Sequence, residues 1–368
     1  MQRAEEEQAL LDSSGILYED AMLQGYLEQV VGRLQAAAGA QGIAFKIRVI
    51  DDPYLNAFAF ANGAIYIHTG ILARLDNEAQ LAALLAHEMI HCTHRHAFKA
   101  AREFRAPAQG ARSFERSLPR IGHAQDLSSL LNALKSMALI ADYTQKLETE
   151  ADTGGLGMML KAGYEPEEAL RLLEHLKWEA EAENIKEPFV FATHPSLKKR
   201  MENMGRFLYN LPGDIGEGSK NEALFLERIE GLLLHNASRD LKAGRYDIAH
   251  RGVQKYLTIK GPDGKAYFLL GEIFRQRGGP GDNHRAKAAY KTAILFDASY
   301  SDPYKALGLI YYKEGEWTLA KTSFESCVAL SPDHPDRPYI EGYLQRCTEA
   351  SRPWERHTGI FSRMGWGS

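Results

Sequence analysis

The feature that most constrains this chain is the segment from His87 to His91, which reads His-Glu-Met-Ile-His. Histidines four residues apart on a helix lie on one face, one turn above the other, so both imidazoles can reach a single metal ion. Glu88 follows the first histidine and can face a water molecule on the open side of that metal. The pattern predicts a zinc hydrolase site, in which the metal polarises and the carboxylate takes a proton.

The residues before this segment indicate that its helix is buried. Residues 79–86 are almost all alanine and leucine, and Asp76 or Asn77 is a suitable N-cap. A chance copy of the motif would usually lie on a solvated face. Histidine and glutamate side chains inside a buried helix need partners, and a metal ion supplies them. The context therefore favours a functional zinc site.

A catalytic zinc needs a third protein ligand and an open fourth position. Downstream, Glu148 and Asp152 are four residues apart, so a helix would put both carboxylates on one face. Glu148 is the candidate ligand, and Asp152 would orient a ligand histidine through its free ring nitrogen. The spacing alone does not separate Glu148 from Glu150, and a solvated acidic face is the alternative.

These motifs resemble the HtpX/CAAX-prenyl-protease family of zinc metallopeptidases, in which H-E-x-x-H is followed by E-x-x-A-D on a second helix. Here the second motif is Glu148-Thr149-Glu150-Ala151-Asp152, with Glu148 in the ligand position. Ala61-Asn62-Gly63 departs from the Pro-Gly-Gly of many relatives, but this affects only a turn. Further matches between residues 20 and 207 are Asn56-Ala57-Phe58, Thr69-Gly70, Arg95-His96, Gly155, 162–166 and Thr193-His194-Pro195 with Arg200.

The resemblance implies an α+β zincin-like metallopeptidase domain, mostly helical with a small sheet. It also implies that Zn2+ is bound by His87, His91 and Glu148. Glu88 would act as the general base that activates the attacking water and would pass the proton to the leaving amine.

The late histidine has two functional interpretations and one structural alternative. His194 precedes a proline, so it is expected in an extended or turn conformation. The resemblance implies that it approaches the metal site, either to donate to the oxyanion or to ligate zinc in a resting state. A His-Pro pair alone is more typical of a turn that starts a helix. Arg200 would anchor this segment against a carboxylate of the second helix.

The region before the zinc helix predicts one helix and a small sheet. Residues 19–38 are amphipathic, 43–50 alternate as a strand, and 58–67 read as a hairpin around Asn62-Gly63. In zinc peptidases of this general class, an edge strand pairs with the substrate backbone, so cleavage needs an extended, unfolded peptide. The candidate substrate-binding residues are Ala57, Phe58 and Ala59.

Residues 97–127 form a long basic stretch without clear periodicity. We interpret it as a lid or a membrane-facing loop near the cleft, with a solvated basic loop as the alternative.

Residues 130–141 are too short and too polar for a membrane span, and the polar start at 1–7 is not a signal peptide. Because relatives of this architecture are usually periplasmic, we expect a location in the periplasm or cell envelope, with a targeting segment absent from this sequence.

Composition agrees with a globular enzyme of two domains. The chain has 368 residues and a formal net charge of −4, so it lacks the basic footprint of a nucleic-acid binder. Its cysteines are odd in number and unpatterned, which predicts no structural disulfide. They are Cys92, Cys327 and Cys347.

The second half changes character. The predicted domains are a metallopeptidase at 1–213, a linker at 214–221, tetratricopeptide repeats at 222–350 and a tail at 351–368. The clearest repeat unit covers 301–332, an earlier one begins near Gly264, and a weaker one lies near Glu230. An unrelated helical bundle is the alternative.

The sequence as a whole predicts a zinc endopeptidase that cleaves unfolded or misassembled proteins in cell-envelope quality control. Its repeats would hold client proteins and raise their concentration at the active site. The alternative is a chaperone or assembly scaffold whose zinc is gated or largely structural. A closed site with His194 on the metal would favour that alternative.

Overall fold

The computed structural model describes residues 2–39, 42–96, 98–99, 145–182, 197–212 and 217–351. The chain divides into two compact units, Met1–Ile259 and Lys260–Ser368. Within the described residues, no helix has the length and apolar character needed to cross a membrane.

The described part of the first unit is mostly helical and contains one small sheet, so the fold expected for this half is found. In chain order its elements are α1 (Gln2–Asp12), α2 (Ala21–Ala38), β1 (Lys46–Ile50), β2 (Ala57–Ala59), β3 (Ala64–His68), α3 (Thr69–Arg74), α4 (Glu78–Thr93), α5 (Gln145–Lys161), α6 (Glu167–Ala182), α7 (Leu197–Tyr209), α8 (Glu222–Lys242) and α9 (Tyr246–Lys260).

The sheet has the strand order β1-β3-β2. β1 runs parallel to β3, with Ile47 opposite Ile65, and β2 runs antiparallel to β3, with Phe58 opposite Tyr66. The hairpin predicted around Asn62-Gly63 is confirmed, because β2 and β3 pair antiparallel on either side of it. Gly63 in the turn adopts a φ of 92°, which favours glycine. All five residues of β3 are buried, whereas β2 is an edge strand.

α4 is buried from Glu78 to Cys92, as the alanine- and leucine-rich sequence predicts. Of the two candidate N-caps, Asn77 caps the helix, and its side chain accepts from the Gln80 amide at 2.9 Å. Glu78 lies in the first turn, where a negative charge suits the helix dipole. The Tyr26 and Tyr164 hydroxyls donate to its carboxylate at 2.7 and 2.8 Å, which fixes the start of α4.

α8 and α9 belong to the first compact unit, although the predicted linker at 214–221 precedes them. Charged contacts join these helices to elements that precede the predicted linker. Arg74 of α3 donates to Asp240 of α8 at 3.0 Å, and both side chains are buried. The ammonium of Lys255 on α9 donates to the Leu75 carbonyl at 2.6 Å. The division between the two compact units therefore lies about one helical hairpin after the linker. That the residues before the linker fold independently stays a prediction.

The described part of the second unit is all-helical. Its elements are α10 (Gly264–Arg277), α11 (Asp282–Phe296), α12 (Ser301–Glu314), α13 (Trp317–Leu330) and α14 (Arg337–Ala350). Two successive helical hairpins are packed in the same way. Gly271 of α10 lies against the ring of Tyr290 on α11, and Gly308 of α12 lies against the ring of Phe324 on α13.

All three cysteines are free and buried, as predicted. Cys92 points away from the neighbouring histidine and donates to the Phe60 carbonyl at 3.2 Å. Burial, followed by the charge of Glu88, raises the pKa of its thiol to about 12. The thiol is therefore protonated at neutral pH and acts as a small apolar group.

The glycine contacts of the second unit give the first prediction. A Cβ on Gly308 would lie 2.6 Å from Cε1 of the fully buried Phe324. We expect Gly308→Ala to destabilise the unit, because overpacking costs about 1–3 kcal/mol and exceeds the gain in helix propensity of up to about 1 kcal/mol. Gly342→Ala is the matched control, since its Cβ would meet no atom within 4 Å. Denaturant unfolding measures both; equal stability of the two variants would contradict the packing argument.

The contacts of α8 and α9 give the second prediction. A chain ending at Ile259 keeps the first compact unit whole and should fold. A chain ending at Gly213 loses Asp240, the carboxylate that Arg74 contacts, and also loses the buried apolar side chains of α8, which packs on α3. We therefore expect the shorter chain to melt at a clearly lower temperature by circular dichroism. Indistinguishable melting of the two chains would place the boundary at the linker instead.

Candidate metal centre

Three buried side chains of α4 and α5 converge on one point. The Nε2 atoms of His87 and His91 are 2.9 Å apart. The carboxylate of Glu148 places Oε2 3.6 Å from Nε2 of His87 and Oε1 3.4 Å from Nε2 of His91. Within the described ranges, these residues are the only group of three histidines, cysteines or acids whose ligand atoms all lie within 4.8 Å of one another.

The donor set fits a divalent metal ion of the zinc type. Two imidazole nitrogens and one carboxylate are ligands that zinc accepts, and three protein ligands are typical of catalytic zinc. With metal–nitrogen distances of about 2.0–2.1 Å, a tetrahedral ion separates its ligand atoms by roughly 3.3 Å. The Nε2 atoms of the two histidines are 2.9 Å apart, and the nearest carboxylate oxygen lies 3.4 or 3.6 Å from each, which is close to that value.

Two glycines allow α5 to approach α4 closely enough for this convergence. A Cβ on Gly155 would lie 3.1 Å from the backbone nitrogen of His87, and one on Gly154 would lie 3.0 Å from Cδ1 of Ile90. Any larger residue at 155 would press on the α4 backbone at the first ligand itself. The distance from Glu148 to the histidines therefore depends on these small residues two turns away.

Glu88 is buried next to the first histidine on α4. It lines a cavity of about 30 Å³ together with His87, Asp152 and Arg200, and the remaining wall is mostly apolar. A water molecule needs about 10–15 Å³ by this kind of measure, so the cavity that Glu88 helps to line has room for water among the described atoms. Glu88 is thus close to the ligand histidine without belonging to the convergent group.

Asp152 and Arg200 support the first histidine. Asp152 Oδ1 lies 3.0 Å from Nδ1 of His87, on the ring edge opposite the convergent Nε2. Arg200 of α7 donates to both oxygens of Asp152, at 2.8 and 2.9 Å, and its Nη1 lies 3.4 Å from Glu148 Oε2. Asp152 and Arg200 therefore lie beside the convergent group, and Arg200 contacts two carboxylates of the second helix.

The contact between Asp152 and Arg200 lowers the pKa of the carboxyl and raises the pKa of the guanidinium. Burial alone would raise the pKa of Asp152, but Arg200 and His87 lower it well below the usual range. Burial would likewise lower the pKa of Arg200, but Asp152, Glu148 and Glu88 raise it. Both groups therefore remain charged at neutral pH, and the ion pair persists inside the protein.

The second histidine has a supporting contact to which sequence reasoning assigned no role. Nδ1 of His91 lies 2.9 Å from Nδ1 of the fully buried His96. Nε2 of His96 faces Glu150 Oε2 at 3.4 Å. Burial, partly offset by Glu150, lowers the pKa of His96 to about 4. His96 appeared in the sequence only as part of a family match, and no spacing rule links it to His91.

Of the remaining predicted site residues, those of the edge strand lie within the part of the chain that the structure describes, and His194 does not. Ala57, Phe58 and Ala59 form the edge strand β2, where Ala57 is buried and the other two are half-buried. β2 contacts α4, so this strand lies beside the helix that carries the histidines. His194 lies outside the described residues, as does the basic stretch at 97–127 apart from Phe98 and Lys99.

Comparison with known proteins gives a family match and several relatives. A model of peptidase family M48 matches residues 21–206, just over half of the 368-residue chain. The chain is 27% identical over 237 residues to the beta-barrel assembly-enhancing protease of Escherichia coli (strain K12), covering 62% of this chain and 47% of that protein. It is 33% identical over 198 residues to the mitochondrial metalloendopeptidase OMA1 of Schizosaccharomyces pombe, covering 52% and 56%. The chain thus spans about half the length of the curated relatives it matches.

The close approach of α4 and α5 gives the third prediction. Gly155→Ala should displace α5 by a few tenths of an ångström and weaken metal binding on the order of tenfold, as losses of supporting contacts commonly do. Gly157→Ala on the same helix is the matched control, because its Cβ would meet no atom within 4 Å. Competition with a chromophoric chelator measures the affinity of each folded variant. Equal zinc affinity in the two variants would mean that the glycine contact does not position Glu148.

Proposed function

The chain belongs to peptidase family M48, a family of metallopeptidases, and we propose that it is a zinc-dependent endopeptidase acting on unfolded or misassembled proteins. The observation that carries this proposal is the convergence of His87, His91 and Glu148 with Glu88 buried beside them. Two imidazoles, one carboxylate and a neighbouring carboxylate outside the ligand set match the needs of metal-assisted peptide hydrolysis.

Zinc is the proposed metal, held by His87, His91 and Glu148. When bound there, it supplies a Lewis acid that polarises the scissile carbonyl and makes water a better nucleophile. The family match supports a metal, and the nitrogen-rich donor set supports zinc over calcium or magnesium, which prefer oxygen ligands.

The protein residues have distinct proposed tasks. Glu88 accepts the proton of the attacking water on its carboxylate and then delivers that proton to the leaving amine. Asp152 holds His87 in the tautomer that carries its proton on Nδ1, and Arg200 keeps Asp152 charged. His194 is proposed either as a donor to the oxyanion or as a ligand in a resting state.

The proposed substrate is an extended peptide. β2 has one edge paired with β3 and is the last strand of the sheet. An extended substrate would pair its backbone with Ala57, Phe58 and Ala59, and only a segment free of its own structure can offer that backbone. This limits cleavage to unfolded or misassembled clients.

We propose that the second unit is a tetratricopeptide array that binds clients or partner proteins. Its support is the repeated packing of a glycine against an aromatic ring, in Gly271 with Tyr290 and in Gly308 with Phe324. The spacing between Tyr290 and Phe324 is 34 residues, which is the tetratricopeptide period. A captured client would then be held at high local concentration near the peptidase unit.

The biological setting proposed is protein quality control in the cell envelope, including contact with a membrane surface. One relative is named for enhancing β-barrel assembly, and another is named as a mitochondrial endopeptidase. Both names concern proteases, which supports a proteolytic role for this chain. The identity of the client would be determined by the surface of the repeats.

Substitution of the proposed base is the fourth prediction. Glu88→Gln should retain zinc and the fold but lower casein proteolysis by about 10²–10⁴-fold, because it removes proton transfer and leaves the ligand set intact. Metal analysis and proteolysis on wild type and variant form the test, with Glu167→Gln on the exposed start of α6 as a control for loss of a charge. Full proteolysis by a zinc-loaded Glu88→Gln variant would refute the assignment. Zinc-loaded wild type without peptidase activity would favour the scaffold alternative.

A further inference from the structure

The two histidines of the metal centre are supported in different ways. His87 has a carboxylate at Nδ1, because Asp152 Oδ1 lies 3.0 Å away. His91 instead has a second imidazole at Nδ1, and Nδ1 of His96 lies 2.9 Å away. His96 is fully buried, so this contact is shielded from solvent and its geometry is fixed by packing.

The direction of hydrogen bonding follows from the need to bind metal through Nε2. A ligating Nε2 carries no proton, so the neutral ring of His91 has its proton on Nδ1 and donates it. Nδ1 of His96 must then accept, which leaves the proton of His96 on its Nε2. That nitrogen faces Glu150 Oε2 at 3.4 Å, so a carboxylate lies on the proton-bearing side of His96 and interacts with it electrostatically.

We propose that His96 and Glu150 are positioning residues that fix the tautomer and ring orientation of His91 for metal binding. The inference rests on the ligand set of the proposed function and deepens it, but it does not depend on peptidase activity. Neither residue would contact the metal or the substrate. The role is the counterpart, for the second histidine, of what Asp152 and Arg200 do for the first.

The backbone after α4 supports this role. In a continuous helix, a residue five positions after His91 would point about 140° away from it. α4 instead ends at Thr93, and Arg95 adopts a φ of 53° in the left-handed region. This conformation is unfavourable for a residue with a Cβ, and it turns the chain so that His96 returns to His91. Arg95 is therefore locally strained, and it is the residue whose conformation brings the two rings together.

The position of Glu150 on α5 supports the same interpretation. Glu148 and Glu150 are two residues apart, so they point in different directions from the helix, one to the ligand atoms and one to His96. Glu150 is also held by the ammonium of Lys99 at 3.4 Å and lies 3.7 Å from Nε2 of His94. The carboxylate that faces His96 is therefore itself held by two side chains that follow α4 in the sequence.

Two substitutions of His96 separate hydrogen bonding from space filling. In His96→Asn, the amide oxygen is two bonds from Cβ, as Nδ1 is, so an acceptor for His91 is kept. In His96→Leu, the volume is roughly kept but the acceptor is lost. We expect zinc affinity, measured by chelator competition, to fall about 10–100-fold in His96→Leu and less than about tenfold in His96→Asn. Equal affinities of the two variants, or wild-type affinity in His96→Leu, would overturn the proposal.

A double-mutant cycle tests the second link. Glu150→Gln should weaken zinc binding severalfold in the wild-type background and have no effect on His96→Asn, because asparagine has no donor in place of Nε2. Glu167→Gln, which removes an exposed charge elsewhere in the unit, should leave affinity unchanged in both backgrounds. Additive effects of Glu150→Gln and His96→Asn would overturn the link. Loss of most bound zinc in Glu150→Ala, equal to that in Glu148→Ala, would make Glu150 a ligand and overturn it as well.

A spectroscopic readout tests the tautomers directly and does not require any variant to fold. In the zinc-loaded protein with ¹⁵N-labelled histidine, His91 should carry its proton on Nδ1 and His96 on Nε2. His96 protonated on Nδ1 would overturn the proposal. Wild type that binds no zinc would refute the proposed function itself, whereas zinc binding that is insensitive to His96 and Glu150 would refute only this inference.

Discussion

The close approach of α4 and α5 is the constraint on which the candidate site depends. α4 supplies His87 and His91, α5 supplies Glu148, and a Cβ on Gly155 would already lie 3.1 Å from the α4 backbone. The same two helices carry the supporting residues Asp152, Glu150 and, just after α4, His96. One helix–helix distance therefore sets the separation of Glu148 from the two histidines, of Asp152 from His87 and of Glu150 from His96. A displacement of α5 would change these three separations together, because closely packed helices transmit strain along their length.

Burial of so many charges requires compensation within the first unit. Glu148 and Asp152 are buried carboxylates on one helix face, and Arg200 contacts both of them. An uncompensated charge in this environment would cost several kcal/mol. A divalent metal adds positive charge at the point where Glu148 and the two histidines meet, which makes the ligand set and the ion pair parts of one electrostatic arrangement. At the far end of α4, hydroxyl donors satisfy Glu78 in the same way.

The second unit depends on close packing between neighbouring helices, together with ion pairs of short sequence separation such as Lys287 with Glu314. Each of its first two helical hairpins sets a glycine of one helix against an aromatic ring of the next. Such a contact can be repeated at a fixed period, since each hairpin meets mainly its neighbours. The peptidase half, in contrast, is held together by contacts between residues far apart in the chain, such as Arg74 with Asp240. This difference explains why α8 and α9, which are helical like the repeats, belong spatially to the first unit.

The sequence by itself determined the features that depend on local spacing. These are the shared face of His87 and His91, the buried character of α4, the hairpin around Asn62-Gly63 and the helical second half, because periodicity and turn chemistry act over a few residues. Spacing alone did not separate Glu148 from Glu150, and the family motif favoured Glu148. The tertiary structure turns Glu148 to the ligand nitrogens, because the direction of each side chain depends on the rotation of α5 relative to α4. It alone brought His96 back to His91, because a left-handed residue at Arg95 leaves no periodic signal. It alone joined α8 and α9 to the first unit, because ion pairs between distant residues are not encoded in any local pattern.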